Sequence, residues 1–213
     1  MTNAGLPRLY DYLPSGNCYK VRLLLSQLGL PFERVHLDVR TGETRTAAYA
    51  AKNPNMKVPL VEWPDGRRLS ESGAILWHFA EGTPLVPADR WDRACVLQWM
   101  FFEQYSHEPY IAVVRAWHLF GLVEANRDTL AEKKKRGYHA LRVMEEHLSA
   151  HPFLAAQRYT IADIALYAYT HVAQEGGFDL SRFTGINAWL RRVAGQPGHI
   201  GIADQPGRLV AWP

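Results

Sequence analysis

A change of texture near residue 85 constrains this chain more than any other feature. Before it, short β-type runs alternate with helical patterns; after it, β signals largely vanish. Arg8–Tyr12 is aromatic and apolar, and Phe32–Leu37 alternates. Between them, Asn17–Leu28 carries Val21, Leu24, Leu25 and Leu28 on one side and is closed by Gly29 and Pro31. That order predicts a parallel βαβ unit. A polar loop at Asp38–Arg45 and a short helix near Thr46–Ala51 follow. Strands at Pro59–Glu62 and Arg68–Leu69, joined by Pro64-Asp65-Gly66, then form an antiparallel pair ahead of a helix at Ser70–Ala80. The expected sheet is mixed and four-stranded. Apolar residues at three-to-four spacing over Trp91–Glu103, Pro109–Phe120, Glu124–Leu148, Thr160–Gln174 and Asn187–Ala194 predict an all-helical bundle. The expected organisation is an α/β domain over residues 1–82, a proline-containing linker over 83–89, and a helical domain over 90–213 whose Gly/Pro-rich tail packs back on the protein.

Composition narrows the function. With 213 residues, 47% hydrophobic and 21% charged, the chain can bury a sizeable core. It has no run of 18 apolar residues, and its start lacks a basic stretch followed by an apolar one, so neither a membrane span nor a secretory leader is expected. Two cysteines, Cys18 and Cys95, are too few for a disulfide framework, which points to a reducing cytoplasm. A net charge of +3 is too mild to indicate nucleic acid. No metal site is expected: His147 and His151 have helical spacing, but Pro152 ends the pattern and no HExxH motif is present. The run Glu132-Lys133-Lys134-Lys135-Arg136 reads as a solvated helix face, and Cys95, in an apolar helix, as a core residue.

Three local signals carry chemistry. Ser15-Gly16-Asn17-Cys18 opens the first helix, where unpaired N–H groups and a partial positive charge either need a cap or receive an anion. Lys57-Val58-Pro59 opens a strand; a cis Val58–Pro59 bond would turn the Val58 backbone groups outward. Glu71-Ser72 opens a helix, either as a plain start or as a receptor in which Ser72 binds a carboxylate and Glu71 an ammonium.

Together, Ser15-Gly16-Asn17-Cys18-Tyr19-Lys20-Val21-Arg22, Asn53-Pro54 with Val58-Pro59, Glu71-Ser72-Gly73-Ala74-Ile75, and Thr160-Ile161-Ala162-Asp163 resemble the cytosolic glutathione S-transferases over nearly the whole chain. The Ser/Asn pairing is similar to the bacterial serine-type, nu-like members. The resemblance implies a thioredoxin-like first domain, a helical second domain and a symmetric homodimer in the cytoplasm, with a role in detoxification. It implies glutathione as co-substrate, paired with the Val58 backbone beside Pro59 and held by Ser72 and Glu71, its glycine carboxylate met by Lys57, Arg40 or Thr44. Met56 departs from the glycine or polar residue that many relatives carry there.

Ser15 falls at the family's catalytic hydroxyl. Bringing a thiol of pKa about 8.5 down by about two units takes close to 2.7 kcal/mol. One hydrogen bond to a charged acceptor supplies roughly 1.5–3 kcal/mol and a helix terminus up to about 1 more. A tyrosine-type assignment on Tyr10 or Tyr12 is the alternative. Asn17 would hold the sulfur or the second thiol of a disulfide, and Cys18 is a core residue or a mixed-disulfide partner. Tyr105, His107, Tyr110 and Arg115 are the second-substrate candidates, between the domains. The implied activity is transfer of the glutathione thiolate to a hydrophobic electrophile; the alternatives are disulfide reduction, and non-catalytic binding on the same fold.

Overall fold

The computed structural model describes residues 5–212; the ends of the two expected domains at Met1–Ala4 and Pro213, and with them part of the leader reading, lie outside those residues. The chain forms two compact units, one made of the residues up to Glu81 together with those from Pro197 onward, the other of Gly82–Gln196.

The first unit is a mixed sheet with helices on it. Its strands are β1 (Arg8–Asp11), β2 (Glu33–His36), β3 (Leu60–Glu62), β4 (Arg68–Ser70) and β5 (Arg208–Val210), in the order β4-β3-β1-β2-β5. β1 runs parallel to β2 and antiparallel to β3, as a βαβ unit followed by a hairpin requires. Its helices are α1 (Gly16–Gln27), α2 (Ala47–Ala50) and α3 (Ser72–Ala80). Strand alternation sends Leu9 and Val61 to one face, where they pack with Val21, Leu25, Phe32 and Ile75. Tyr10, Leu60, Val35, Leu37 and Tyr49 pack on the other.

The tail corrects the sequence-based reading. It belongs to the first unit rather than the helical one, and β5 makes the sheet five-stranded by pairing parallel with β2, Arg34 against Leu209 and Val35 against Val210. The physical reason is the open edge of β2, whose backbone groups otherwise have no ladder on that side. Side chains fasten the tail: Arg208 pairs with Glu33, and Trp212 packs edge-on against Tyr10 (5.4 Å) and Tyr49 (6.1 Å). Buried Asp11 binds both Arg22 and Arg34; Arg22 reaches on to the Ile202 carbonyl (2.9 Å) and Arg34 to Gln205 (2.6 Å).

The second unit consists of α4 (Arg90–Phe102), a π-helical turn (Glu103–His107), α5 (Glu108–Leu119), α6 (Arg127–Leu148), α7 (Ile161–Thr170) and α8 (Thr184–Ala194). Every residue of α7 is buried, so its N-terminus cannot rely on water. Thr160 and Asp163 form the reciprocal cap there, and Asp163 also accepts from Leu154 N–H (3.0 Å) and Trp189 Nε1–H (2.9 Å). Two expectations are corrected. Lys133 and Lys134 do not lie on a purely solvated face: half-buried, they donate to the Pro109 and Gly177 carbonyls, their ammonium groups over the rings of Tyr110 and Phe178. Cys95 is only half-buried, because it lines a cavity of about 420 Å³ beside Trp91, Trp99 and Phe153.

Candidate functional site

β1 ends where the loop Tyr12–Ser15 turns the chain into α1. Ser15, extended at φ −72° and ψ 123°, caps the helix: its Oγ accepts from Cys18 N–H at 3.3 Å. The cap uses the oxygen as an acceptor and leaves the hydroxyl hydrogen without an acceptor among the described residues. Capping and anion binding are therefore compatible at one atom.

Asn17 lies in the first turn of α1, half-buried. Its Oδ1 accepts from Lys20 Nζ at 2.7 Å and from the Ser72 hydroxyl at 3.2 Å. Ser72, 5% exposed, opens α3, so this bond joins the starts of α1 and α3. The structure thus brings together Ser15, Asn17 and Ser72, which the sequence places 57 positions apart at the extremes. It also brings in Lys20, to which the sequence reading gave no role; the available signal was a charged side chain, like Arg22, within the otherwise apolar buried stretch Cys18–Leu25. In this arrangement the Ser72 hydroxyl donates to Asn17, so the Ser72 backbone N–H is the group left to face a carboxylate.

β3 pairs with β1 with Tyr10 opposite Leu60; continuing that register sets Val58-Pro59 opposite Asp11-Tyr12, at the strand end that leads to Ser15. The Val58–Pro59 bond is cis, and the Val58 N–H and C=O take no hydrogen-bond partner among the described residues. The preceding carbonyl, of Lys57, is fixed by Tyr49 Oη–H and Asn53 Nδ2–H, each at 2.8 Å.

Glu71 precedes α3 with φ 68° and ψ 113°, a backbone region that disfavours side chains, and its exposed carboxylate has no partner among the described residues. Of the three candidates for the far carboxylate, Lys57 is exposed and without an ion pair among the described residues. Arg40 is held by Asp38, whose carboxyl it brings down to about 2, and Thr44 is buried in a 3₁₀ turn over Glu43–Arg45.

The other candidates sort clearly. Burial pushes the Cys18 thiol up, and its Sγ accepts from Tyr12 N–H at 3.4 Å, which fits a packed neutral thiol. Tyr10 donates to Glu62 at 2.6 Å, and burial pushes its phenol up, so its hydroxyl is spent inside the sheet. In the helical unit, Tyr105 is 83% exposed, His107 is buried with Nε2 2.9 Å from Thr170 Oγ1, and Arg115 is buried and bound to Glu175 at 2.7 Å. The Tyr110 hydroxyl accepts from Arg136 at 3.2 Å. Within that unit these four side chains do not form one surface. No group of three or more metal-ligating side chains is found among the described residues, nor any helix long and apolar enough to cross a membrane.

Comparison with known proteins bears on these features together. Residues 14–81 match the model of the glutathione S-transferase N-terminal domain, and residues 91–197 that of the C-terminal domain. A glutathione S-transferase from Pseudomonas fluorescens is 53% identical with a TM-score of 0.92, covering 94% of this chain and all of that one. A glutathione transferase from Pseudomonas putida, solved with one glutathione disulfide per subunit, is 25% identical with a TM-score of 0.82, over 93% and 90% of the two chains. The disulfide-bond oxidoreductase YfcG of Escherichia coli is 26% identical over 198 residues, 87% of this chain and 89% of that protein. With both domains matched and the thioredoxin-like unit followed by a helical one, the chain belongs to the glutathione S-transferase family.

Proposed function

We propose that this protein is a serine-type glutathione transferase in which Ser15 holds the glutathione thiolate for attack on a hydrophobic electrophile. The observation that carries this reading is the Ser15 hydroxyl, which caps α1 through its oxygen and keeps its hydrogen for an anion at the helix terminus. The unpaired Val58 backbone supports antiparallel pairing with the cysteinyl unit of the tripeptide. Ser72 N–H at the start of α3 suits the γ-glutamyl carboxylate, the free Glu71 carboxylate its ammonium, and Lys57 the glycine end. Tyr105, the exposed member of its group, is the second-substrate contact best supported in the helical unit; His107, Tyr110 and Arg115 would shape it from behind. Family membership supports a cytoplasmic homodimer.

Replacing Ser15 tests this. Ser15→Ala is expected to raise the pH at which bound glutathione ionises by about 1–2 units, since one hydrogen bond to a charged acceptor is lost. The ultraviolet absorbance of the thiolate reads it, and an unchanged titration would move the role elsewhere. Disulfide reduction is a second reading, favoured by the fixed Asn17 amide and by the likeness to a disulfide-bond oxidoreductase. Asn17→Ala separates the two: the transferase reading expects parallel losses of kcat/KM on an aromatic halide and on a disulfide, the reductase reading a loss confined to the disulfide.

A further inference from the structure

A row of alternating charge crosses the sheet of the first unit. Arg68 on β4 lies opposite Glu62 on β3, Glu62 opposite Arg8 on β1, Arg8 opposite Glu33 on β2, and Glu33 opposite Arg208 on β5. Residues directly opposite share a face of the sheet, so the five side chains form one line. Ion pairs close along it: Arg8 Nε donates to Glu33 at 2.7 Å, Arg208 binds the same carboxylate, and Glu62 accepts from Arg68 Nε at 2.8 Å and Lys52 Nζ at 2.7 Å. Opposite charges on neighbouring strands fix register, which explains the bonds that are made. The groups left over have no such explanation. Every carboxylate oxygen in the row has a donor: Arg208 and Arg8 on Glu33, and Arg68, Lys52 and Tyr10 on Glu62. Four cationic side chains against two carboxylates leave an excess of two positive charges. Arg8, its side chain half exposed, uses only Nε, and both of its terminal nitrogens are without an acceptor among the described residues.

An open cavity of about 410 Å³ lies at this point of the row. Arg8, Lys52 and the two glutamates line it, and Leu6, Trp63 and Pro64 give it an apolar wall. Trp63 is held there by stacking on Phe79, ring centroids 5.8 Å apart. The cavity sits at the start of β1, whereas Ser15 follows the end of that strand, and none of its lining residues is a candidate for the glutathione site. We propose that this cavity binds a small carboxylic acid with an apolar body, its carboxylate on the terminal nitrogens of Arg8 and its body against Leu6 and Trp63. A guanidinium fork matches the two oxygens of a carboxylate in one plane. A cationic ligand would find no vacant acceptor on either glutamate and would add to the positive excess. A cavity of about 150 Å³ already holds benzene, so this one has room for one ring and a short acid arm. The inference does not depend on the glutathione reading.

The test uses the full-length protein, with phenylacetate as the probe. The readout is the indole N–H resonance of Trp63, assigned by its loss in Trp63→Phe. Phenylacetate is expected to move that resonance saturably. Phenylacetamide, which has the same shape without the charge, is expected to bind at least about tenfold more weakly. Inorganic phosphate, which fills the fork but leaves the apolar wall empty, is likewise expected to be weaker by about tenfold or more. Arg8→Gln is expected to weaken phenylacetate by about tenfold or more, with Arg8→Lys, which keeps the charge and loses the fork, falling between it and the wild type. A Trp63 resonance that phenylacetate does not move, equal affinity for the acid and its amide, or an Arg8→Gln protein that binds like the wild type would overturn the proposal and leave the row a device of register alone. Phosphate binding as tightly as phenylacetate would overturn the assigned ligand class. Should Arg8→Gln not fold, the comparison of acid with amide on the wild-type protein decides by itself.

Discussion

Glu71 shows at the scale of one residue how a site can cost stability. Its φ of 68° and ψ of 113° place a side-chain-bearing residue where glycine belongs, at a cost of about 1–3 kcal/mol. No hydrogen bond of its side chain caps the helix it precedes. Under the proposed function, the carboxylate of this residue would meet the ligand ammonium. Glu71→Gly is therefore expected to stabilise the fold by about 1 kcal/mol in thermal unfolding while weakening glutathione binding in calorimetry. A variant that loses stability, or binds as tightly as the wild type, would contradict this. Met56 has the same backbone feature, φ 53°, a conformation that glycine adopts more easily. The strain at both residues is invisible in sequence, because nothing in the identity of a glutamate or a methionine reports its own dihedral angle.

At the scale of elements, a charged side chain adds to the ladders and apolar packing that hold β3. Glu62 accepts from Lys52 (2.7 Å), Tyr10 (2.6 Å) and Arg68 (2.8 Å), tying β3 to β1, β4 and the residues after α2. Burial pushes its carboxyl up, but these three donors outweigh burial and bring it down to about 2. In the unfolded chain the same group takes a proton near its ordinary pKa of about 4.3. Its contribution is thus complete above about pH 4.5 and lost as the pH falls toward 2. Glu62→Gln is expected to be less stable by about 1–2 kcal/mol at pH 7 and to approach the wild type below pH 3, as read by urea midpoints across pH. A deficit that does not depend on pH would refute the charge origin. How far such elements can be read in advance depends on their period and length. α1 and the helices of the second unit follow from apolar spacing, β2 from alternation, β1 from an aromatic and apolar run, and β3 and β4 from the turn that joins them. The candidate site was legible as three separate helix or strand starts, each with an ordinary structural explanation; that Ser72 touches Asn17 is a tertiary fact across 55 positions. β5 is as short as β3 and β4 but has no hairpin turn to mark it and pairs with the distant β2, and the π-helical turn at Glu103–His107 shifts the phase of its neighbours without leaving a mark on composition.

For the molecule as a whole, the chain leaves its first unit at Glu81, builds the second, and returns to finish the first. The thioredoxin-like unit is therefore incomplete until the last residues have been added to it. Arg22 and Arg34 share one carboxylate, Asp11, and take further acceptors from the tail at Ile202 and Gln205. Arg208 N–H donates to the Phe32 carbonyl at 3.0 Å and continues the ladder that β2 alone cannot close. A chain stopped after Gln196 leaves two buried guanidinium groups short of acceptors, uncovers the Tyr10–Tyr49 face that Trp212 packs against, and frees the β2 edge. The expected cost is about 3–5 kcal/mol, from the unmet polar groups and the lost apolar burial of Trp212. It should fall on the first unit alone: amide exchange in Glu33–His36 should accelerate strongly, while the amides of α7 keep their protection. Trp212→Ala is expected to reproduce the smaller, apolar part of the loss, about 1–2 kcal/mol, with the β2 edge still covered. The freed edge should also make the truncated protein associate with rising concentration, which light scattering detects. Equal acceleration in β2 and α7 would mean that the tail supports the whole molecule, and unchanged exchange in β2 would mean that β5 only rests on a sheet already closed by other means.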